Sequence, residues 1–157
     1  MSNSIAITEV AAGFRFLLTE TFESVGGAYL DKGTSLFETL AEISAADASQ
    51  PMGECATIAA HVAHTTYYLR ALEDRMFGRD LSYVNWDQIW DEVSSVSQAE
   101  WEAMLADLRG AYQRIMSHLD GAGEWEGRHE LSCLLGIIAH SAYHLGEIRQ
   151  MMCRLKG

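Results

Sequence analysis

Apolar positions recur at three- and four-residue intervals along most of the chain, and nowhere do they alternate in the two-residue rhythm of a strand. Ile7, Val10, Ala11, Phe14, Leu17, Leu18, Thr21 and Val25 fall on one face of a first helix, expected to end near Gly26 and Gly27. From Asp31 to Gly53 only Leu36, Phe37, Leu40 and Ile43 group before small polar residues and Pro51, which predicts one short helix and a loop. Ile58, Val62, Thr65, Leu69, Leu72 and Met76 form the second stripe, stopped by Gly78. A polar segment bearing Trp86 and Trp90 follows, and Ser97-Gln-Ala-Glu100 has the spacing of a capping box. It opens the third stripe, Trp101, Met104, Leu105, Leu108, Tyr112, Ile115 and Leu119. Gly121, Gly123 and Gly127 mark the next connection, and from about Glu130 the residues Leu134, Ile138, Leu145, Ile148 and Met152 make the fourth. Four amphipathic helices without an internal repeat predict an all-α chain, an antiparallel four-helix bundle with one long connection.

Composition narrows the setting. The 157 residues suit one domain spanning 1–157, and 48% hydrophobic with 21% charged residues is a globular balance. A net charge of -11 with no Lys/Arg cluster argues against nucleic acid and anionic membrane as partners, since both need basic surface. No apolar run approaches the roughly 18 residues of a membrane span. Cys55, Cys133 and Cys153 lack CxxC spacing, and no charged n-region precedes an apolar stretch, so a reducing, cytoplasmic location is expected. Cys133 and Cys153 are expected to be buried fillers rather than nucleophiles.

The chemistry concentrates in histidines. His140 and His144 are four apart on the fourth helix, which places both rings on one face with Cβ atoms about 5 to 6 Å apart, able to reach one metal. On the second helix His61 and His64 offer a third ligand. Three protein ligands leave positions open, as in catalytic rather than structural sites. On spacing alone, ordinary hydrogen-bonded core histidines explain the pattern about as well. A ferritin-like di-metal centre is rejected, because only Glu126-Gly-Arg-His129 has ExxH spacing. His140 is followed by Ser, so no HExxH is present, and neither a phosphate loop nor GxSxG occurs.

The segments Thr57-Ile-Ala-Ala-His-Val-Ala-His-Thr-Thr-Tyr-Tyr-Leu69 and Ala139-His-Ser-Ala-Tyr-His-Leu-Gly-Glu-Ile-Arg-Gln150 resemble the two histidine motifs of the DinB/YfiT-like superfamily, over almost the whole chain. The resemblance implies a four-helix bundle with one divalent metal per chain (Zn, Ni or Fe not distinguished) on a histidine triad. Carried over, His140 and His144 are ligands, and counting seven residues from the helix start at Thr57 gives His64 as the third. His61 is then a neighbour of the ligands or the alternative ligand. The second-helix segment is also similar to the iron-binding bundle of sulfoxide synthases, whose large additional domain this chain lacks.

Members include metal-dependent transferases that use low-molecular-weight thiols, isomerases and a candidate hydrolase. The implied substrate is accordingly a small molecule, with a low-molecular-weight thiol as co-substrate in the transferase case. A stress-related metal- or small-molecule-binding bundle without turnover is the other reading, and a pure interaction bundle a third. Tyr67, Tyr68, Tyr143 and Glu147 are candidate pocket residues, Glu147 to orient a histidine or accept a proton, and Arg149 is a candidate to hold a carboxylate or pair with a neighbouring acid. The resemblance also implies a homodimer, for which Trp86 and Trp90 are expected to offer exposed surface.

Overall fold

A computed structural model describes residues 5–53, 55–121, 125 and 129–157, and the described residues form helices and no strand. In chain order the helices are α1 (Ile7–Phe22), α2 (Leu36–Leu40), α3 (Ala45–Ala48), α4 (Ile58–Met76), α5 (Gln88–Glu92), α6 (Gln98–Asp120) and α7 (Glu130–Leu155). The four long ones, α1, α4, α6 and α7, follow the four stripes. Gly123 and Gly127, like Glu126 of the rejected ExxH pattern, lie outside the described residues.

Local chemistry sets the starts. Thr57 accepts the Ala60 N–H at 3.2 Å and opens α4. Ser97 and Glu100 close the anticipated capping box at α6: Glu100 accepts the Ser97 N–H at 2.7 Å while the Ser97 hydroxyl accepts the Glu100 N–H at 3.3 Å. Gly78, just past the end of α4, has φ +63°, a conformation that a side chain would strain.

Three details depart from the sequence reading or add to it. α1 stops at Phe22, so Val25 is not helical, because the buried Glu20 carboxylate accepts the N–H groups of Ala28, Tyr29 and Leu30 at 2.8 Å each and turns the chain back. Gly26 permits this return: a Cβ there would lie 2.5 Å from the Phe16 ring. The first connection holds two short helices rather than one, each opened by its own capping box, Ser35 with Glu38 and Ser44 with Asp47. The Trp101 indole N–H donates to the Ile43 carbonyl at 3.0 Å and pins this connection to α6. Finally, the polar tryptophan-bearing segment, outside the four anticipated stripes, contains the short helix α5.

α4 packs beside both α6 and α7, and α1 packs beside the same two helices, so α4 and α7 share a long seam. The core under them includes Leu18, Ile58, Leu69, Leu108, Ile115, Leu134, Ile137 and Ile148, all fully buried. Phe22, outside the anticipated stripe, stacks on Tyr112 with ring centroids 4.8 Å apart. Burial of such a ring contributes about 1.5 to 3 kcal/mol. Cys133 is buried as expected, whereas Cys153 is exposed: one residue beyond Met152, it is turned by about 100° (3.6 residues per turn) away from the core stripe. Among the described residues no helix is long and apolar enough to cross a membrane.

Candidate metal centre

The seam between α4 and α7 brings together every histidine of the two motifs. His61 and His64 are one turn apart on α4; His140 and His144 are one turn apart on α7, with Glu147 a further turn along. His64 Nε2 lies 3.1 Å from His140 Nε2, and His140 Nε2 lies 3.2 Å from His144 Nε2. Ligand atoms of this trio all fall within 4.8 Å of one another. Bonds of about 2.0 to 2.1 Å would set two ligand nitrogens roughly 2.9 Å apart at a right angle and roughly 3.4 Å apart at a tetrahedral angle. The two short separations fall between these limits, which is the spacing of nitrogens facing a common cation.

Proton counting points the same way. Glu147 Oε2 accepts from His144 Nδ1 at 2.9 Å, and a carboxylate only accepts, so the proton of His144 sits on Nδ1 and its Nε2 presents a lone pair. His140 Nε2 then faces two nitrogens with at most one proton to give, and neutral rings cannot satisfy both contacts. Charging the rings is opposed by the site itself. Burial, then the nearby His144 and His64, depress His140 to about 3; burial, then His61 and His64, depress His144 to about 4 against the opposing pull of Glu147. Burial also lowers His64 and His61. Near neutral pH the four rings are neutral imidazoles, the form that ligates metal, so these donors fit a divalent ion.

His61 approaches the other side of His144. Its Nδ1 lies 3.0 Å from His144 Nδ1 and 3.3 Å from Glu147 Oε2, so His61, His144 and Glu147 form a second group with the geometry to hold a metal. The outer nitrogens of the first trio are less well served. His64 Nδ1 and His140 Nδ1 are buried without a hydrogen-bond partner among the described residues, so only His144 of the three has a carboxylate behind it.

Aromatic rings wall the centre. Tyr68 stacks on His140, centroids 3.6 Å apart and 4° from parallel, and Gly136 makes room for it, since a Cβ there would lie 3.3 Å from the Tyr68 hydroxyl. Trp90 stacks on His64 at 4.3 Å and meets His61 edge-on at 5.2 Å. Trp86 lies 5.5 Å from Tyr68 and 5.8 Å from Tyr67. The Tyr67 hydroxyl accepts the Asn85 N–H at 2.9 Å and so ties the tryptophan segment to α4. Tyr143 is exposed, 5.0 Å from the His144 ring, and its hydrogen bond to Glu147 holds the phenol above its ordinary pKa.

One expectation is corrected here. Trp90 is half-buried against His64 and His61 rather than exposed, because α5 folds it down onto them; Trp86 keeps an exposed face but covers Tyr67 and Tyr68. Arg149 does not join the histidines: it donates to Thr39 at 3.2 Å and lines a separate cavity with Tyr29, Asp31 and Thr34. Sequence reasoning noticed the tryptophans without linking them to the site, since nothing in their spacing says that the segment returns to α4.

No curated protein and no solved structure matches the chain. A family model does, over residues 30–148, a span that includes both histidine motifs and the seam between them, and its description is the DinB superfamily. With most of its length matched in this way, the chain belongs to the DinB superfamily.

Proposed function

We propose that His64, His140 and His144 hold one divalent metal ion per chain through their Nε2 atoms, and that the protein is a metal-dependent enzyme acting on a small molecule, a low-molecular-weight thiol transferase or a hydrolase. The observation that carries this reading is the convergence of three neutral imidazole nitrogens, two of the contacts at 3.1 and 3.2 Å, from two helices in a DinB superfamily chain. Bound there with open positions, a divalent ion supplies acidity, lowering the pKa of a thiol or water. The residues around it do the rest. Glu147 keeps the His144 ring in the tautomer that offers Nε2. Tyr68 and Trp90 fix the planes of His140 and His64 by stacking, and with Trp86 they shape an aromatic wall for a small substrate. Tyr143, exposed beside Glu147, is placed to meet a polar group of that substrate.

A non-catalytic metal- or small-molecule-binding bundle is the second reading. What favours it is that Glu147, the carboxylate nearest the trio, is already engaged by His144, His61 and Tyr143 and offers no spare base. In either case we propose one domain over 1–157, with the long helices in an antiparallel four-helix bundle, acting in the cytoplasm. We also propose that two chains pair through the exposed Leu131 and Leu135 of α7, which lie in the stretch 131–146 that carries no Asp, Glu, Lys or Arg.

Elemental analysis of protein prepared without a histidine tag tests the metal reading. As purified, before any metal is added, about one metal per chain is expected at the three-histidine site, lost in His64→Ala and in His140→Ala and kept in His61→Ala. Metal kept in His64→Ala but lost in His61→Ala would transfer the α4 ligand to His61, and a metal-free wild type would end the proposal. Turnover with thiols and electrophiles separates the enzyme from the binding bundle.

A further inference from the structure

We propose that His61, the Nδ1 side of His144 and Glu147 form a second cation site, so that the His144 ring bridges two ions. The inference rests on the three-histidine reading above, since it gives His144 Nε2 to the first ion. Its own basis is a separate triangle of donors: His144 Nδ1 to Glu147 Oε2 at 2.9 Å, His61 Nδ1 to His144 Nδ1 at 3.0 Å, and His61 Nδ1 to Glu147 Oε2 at 3.3 Å. All three edges are as short as those between neighbouring ligands on one ion, and like the first trio these atoms lie within 4.8 Å of one another. Hydrogen bonding alone serves the triangle poorly. The proton on His144 Nδ1 points to Glu147; a proton on His61 Nδ1 would crowd against it across 3.0 Å, and a lone pair there would face the Glu147 carboxylate at 3.3 Å. A cation at the focus replaces the bridging proton, which leaves to solvent as the ion enters.

Two histidines and one carboxylate are the ligand class of catalytic zinc and of facial iron(II) sites. The second site therefore differs in kind from the all-histidine first one. The His61 and His144 side chains are almost fully buried and Glu147 is about one-third exposed, which leaves an approach from solvent on the Glu147 side. The Trp90 ring closes over His61.

Metal-free protein titrated with Zn(II) in a calorimeter should take up about two equivalents per chain, and about one in His61→Ala and in Glu147→Gln, with helicity by circular dichroism unchanged. Titration with Cu(II) adds a readout of the bridge. The paramagnetic signal should grow over the first equivalent and shrink over the second in the wild type, whereas neither variant should show the loss. Saturation at one equivalent, or a second equivalent that survives in both variants, would overturn the second site and leave the first standing. No uptake at all would remove the reading on which it rests.

Discussion

Glu147 is one turn from His144, and its Oε2 stands 2.9 Å from His144 Nδ1. Carboxylates behind metal-ligating histidines are worth about 10- to 100-fold in metal affinity, so Glu147→Gln should weaken binding at the three-histidine site by that factor in competition with a chelator. A change below about twofold would make Glu147 a bystander. Acid has a definite sign here. The four histidines carry folded-state pKa values below the ordinary 6.5, about 3 for His140 and about 4 for His144. The unfolded chain therefore binds more protons between pH 6.5 and about 3. The stability contributed by neutral rings is present above pH 6.5 and is lost as pH falls through this window. Thermal melts of metal-free protein should show the midpoint dropping as pH is lowered from 7 toward 5, with a shallower drop in His140→Ala; equal slopes would mean that His140 does not carry the effect. At this scale the HxxxH pair was legible because four residues make one helical turn. The choice between His61 and His64 was not, since both fall on the same face of α4 and only the position of α7 separates their partners.

The starts of α4 and α6 were legible because each rests on side chains adjacent in sequence, Thr57 capping Ala60 and Ser97 capping Glu100. Ser97→Ala should cost about 1 kcal/mol by removing the cap of α6, or roughly 2 to 4 °C in melting temperature for a chain of this size. No loss in denaturant melts would mean that the Ser97 cap is not needed. Helix interiors offer a contrast between two glycines. Gly13, on the exposed side of α1, has nothing within 4 Å of a built Cβ, and Gly13→Ala should stabilise by about 0.5 to 1 kcal/mol through helix propensity. Gly136→Ala places a Cβ 3.1 Å from Leu72 Cδ1 and 3.3 Å from the Tyr68 hydroxyl, so the same propensity gain is opposed by a push on the ring that stacks on His140. Equilibrium unfolding of both variants, with metal affinity for the second, should show a gain for Gly13→Ala and a smaller gain or a loss for Gly136→Ala. Equal gains would mean that α4 and α7 are not held close through Gly136. The end of α1 and the existence of α5 escaped the pattern for one reason: Glu20 reaches residues 28–30, and α5 lies against α4, contacts that helical periodicity along one segment does not contain.

Over the whole molecule, a net charge of -11 sets what can approach. Heparin and duplex DNA should be ignored at physiological salt, and retention on either resin would contradict the absence of a basic footprint. Like-charged surfaces also repel a second copy, except where charge is missing. Leu131 and Leu135 are 51% and 54% exposed on α7, on the uncharged stretch. Leu135→Glu should convert the proposed dimer to monomer in sedimentation equilibrium without changing helicity. A wild type that sediments as a monomer would remove the pairing instead.

The pattern of residues by itself determined that the chain is helical, where the four long helices run and which turns of α4 and α7 carry imidazoles, because periodicity, caps and HxxxH spacing are all properties of residues within a turn or two of each other. Tertiary structure alone decided that α4 and α7 lie side by side, that His64 faces His140 while His61 faces Glu147, and that Trp90 folds onto the histidines instead of an outer surface. These are relations between atoms some 80 residues apart in the chain, and they depend on how the apolar faces of separate helices bury one another, a choice that no single stripe records.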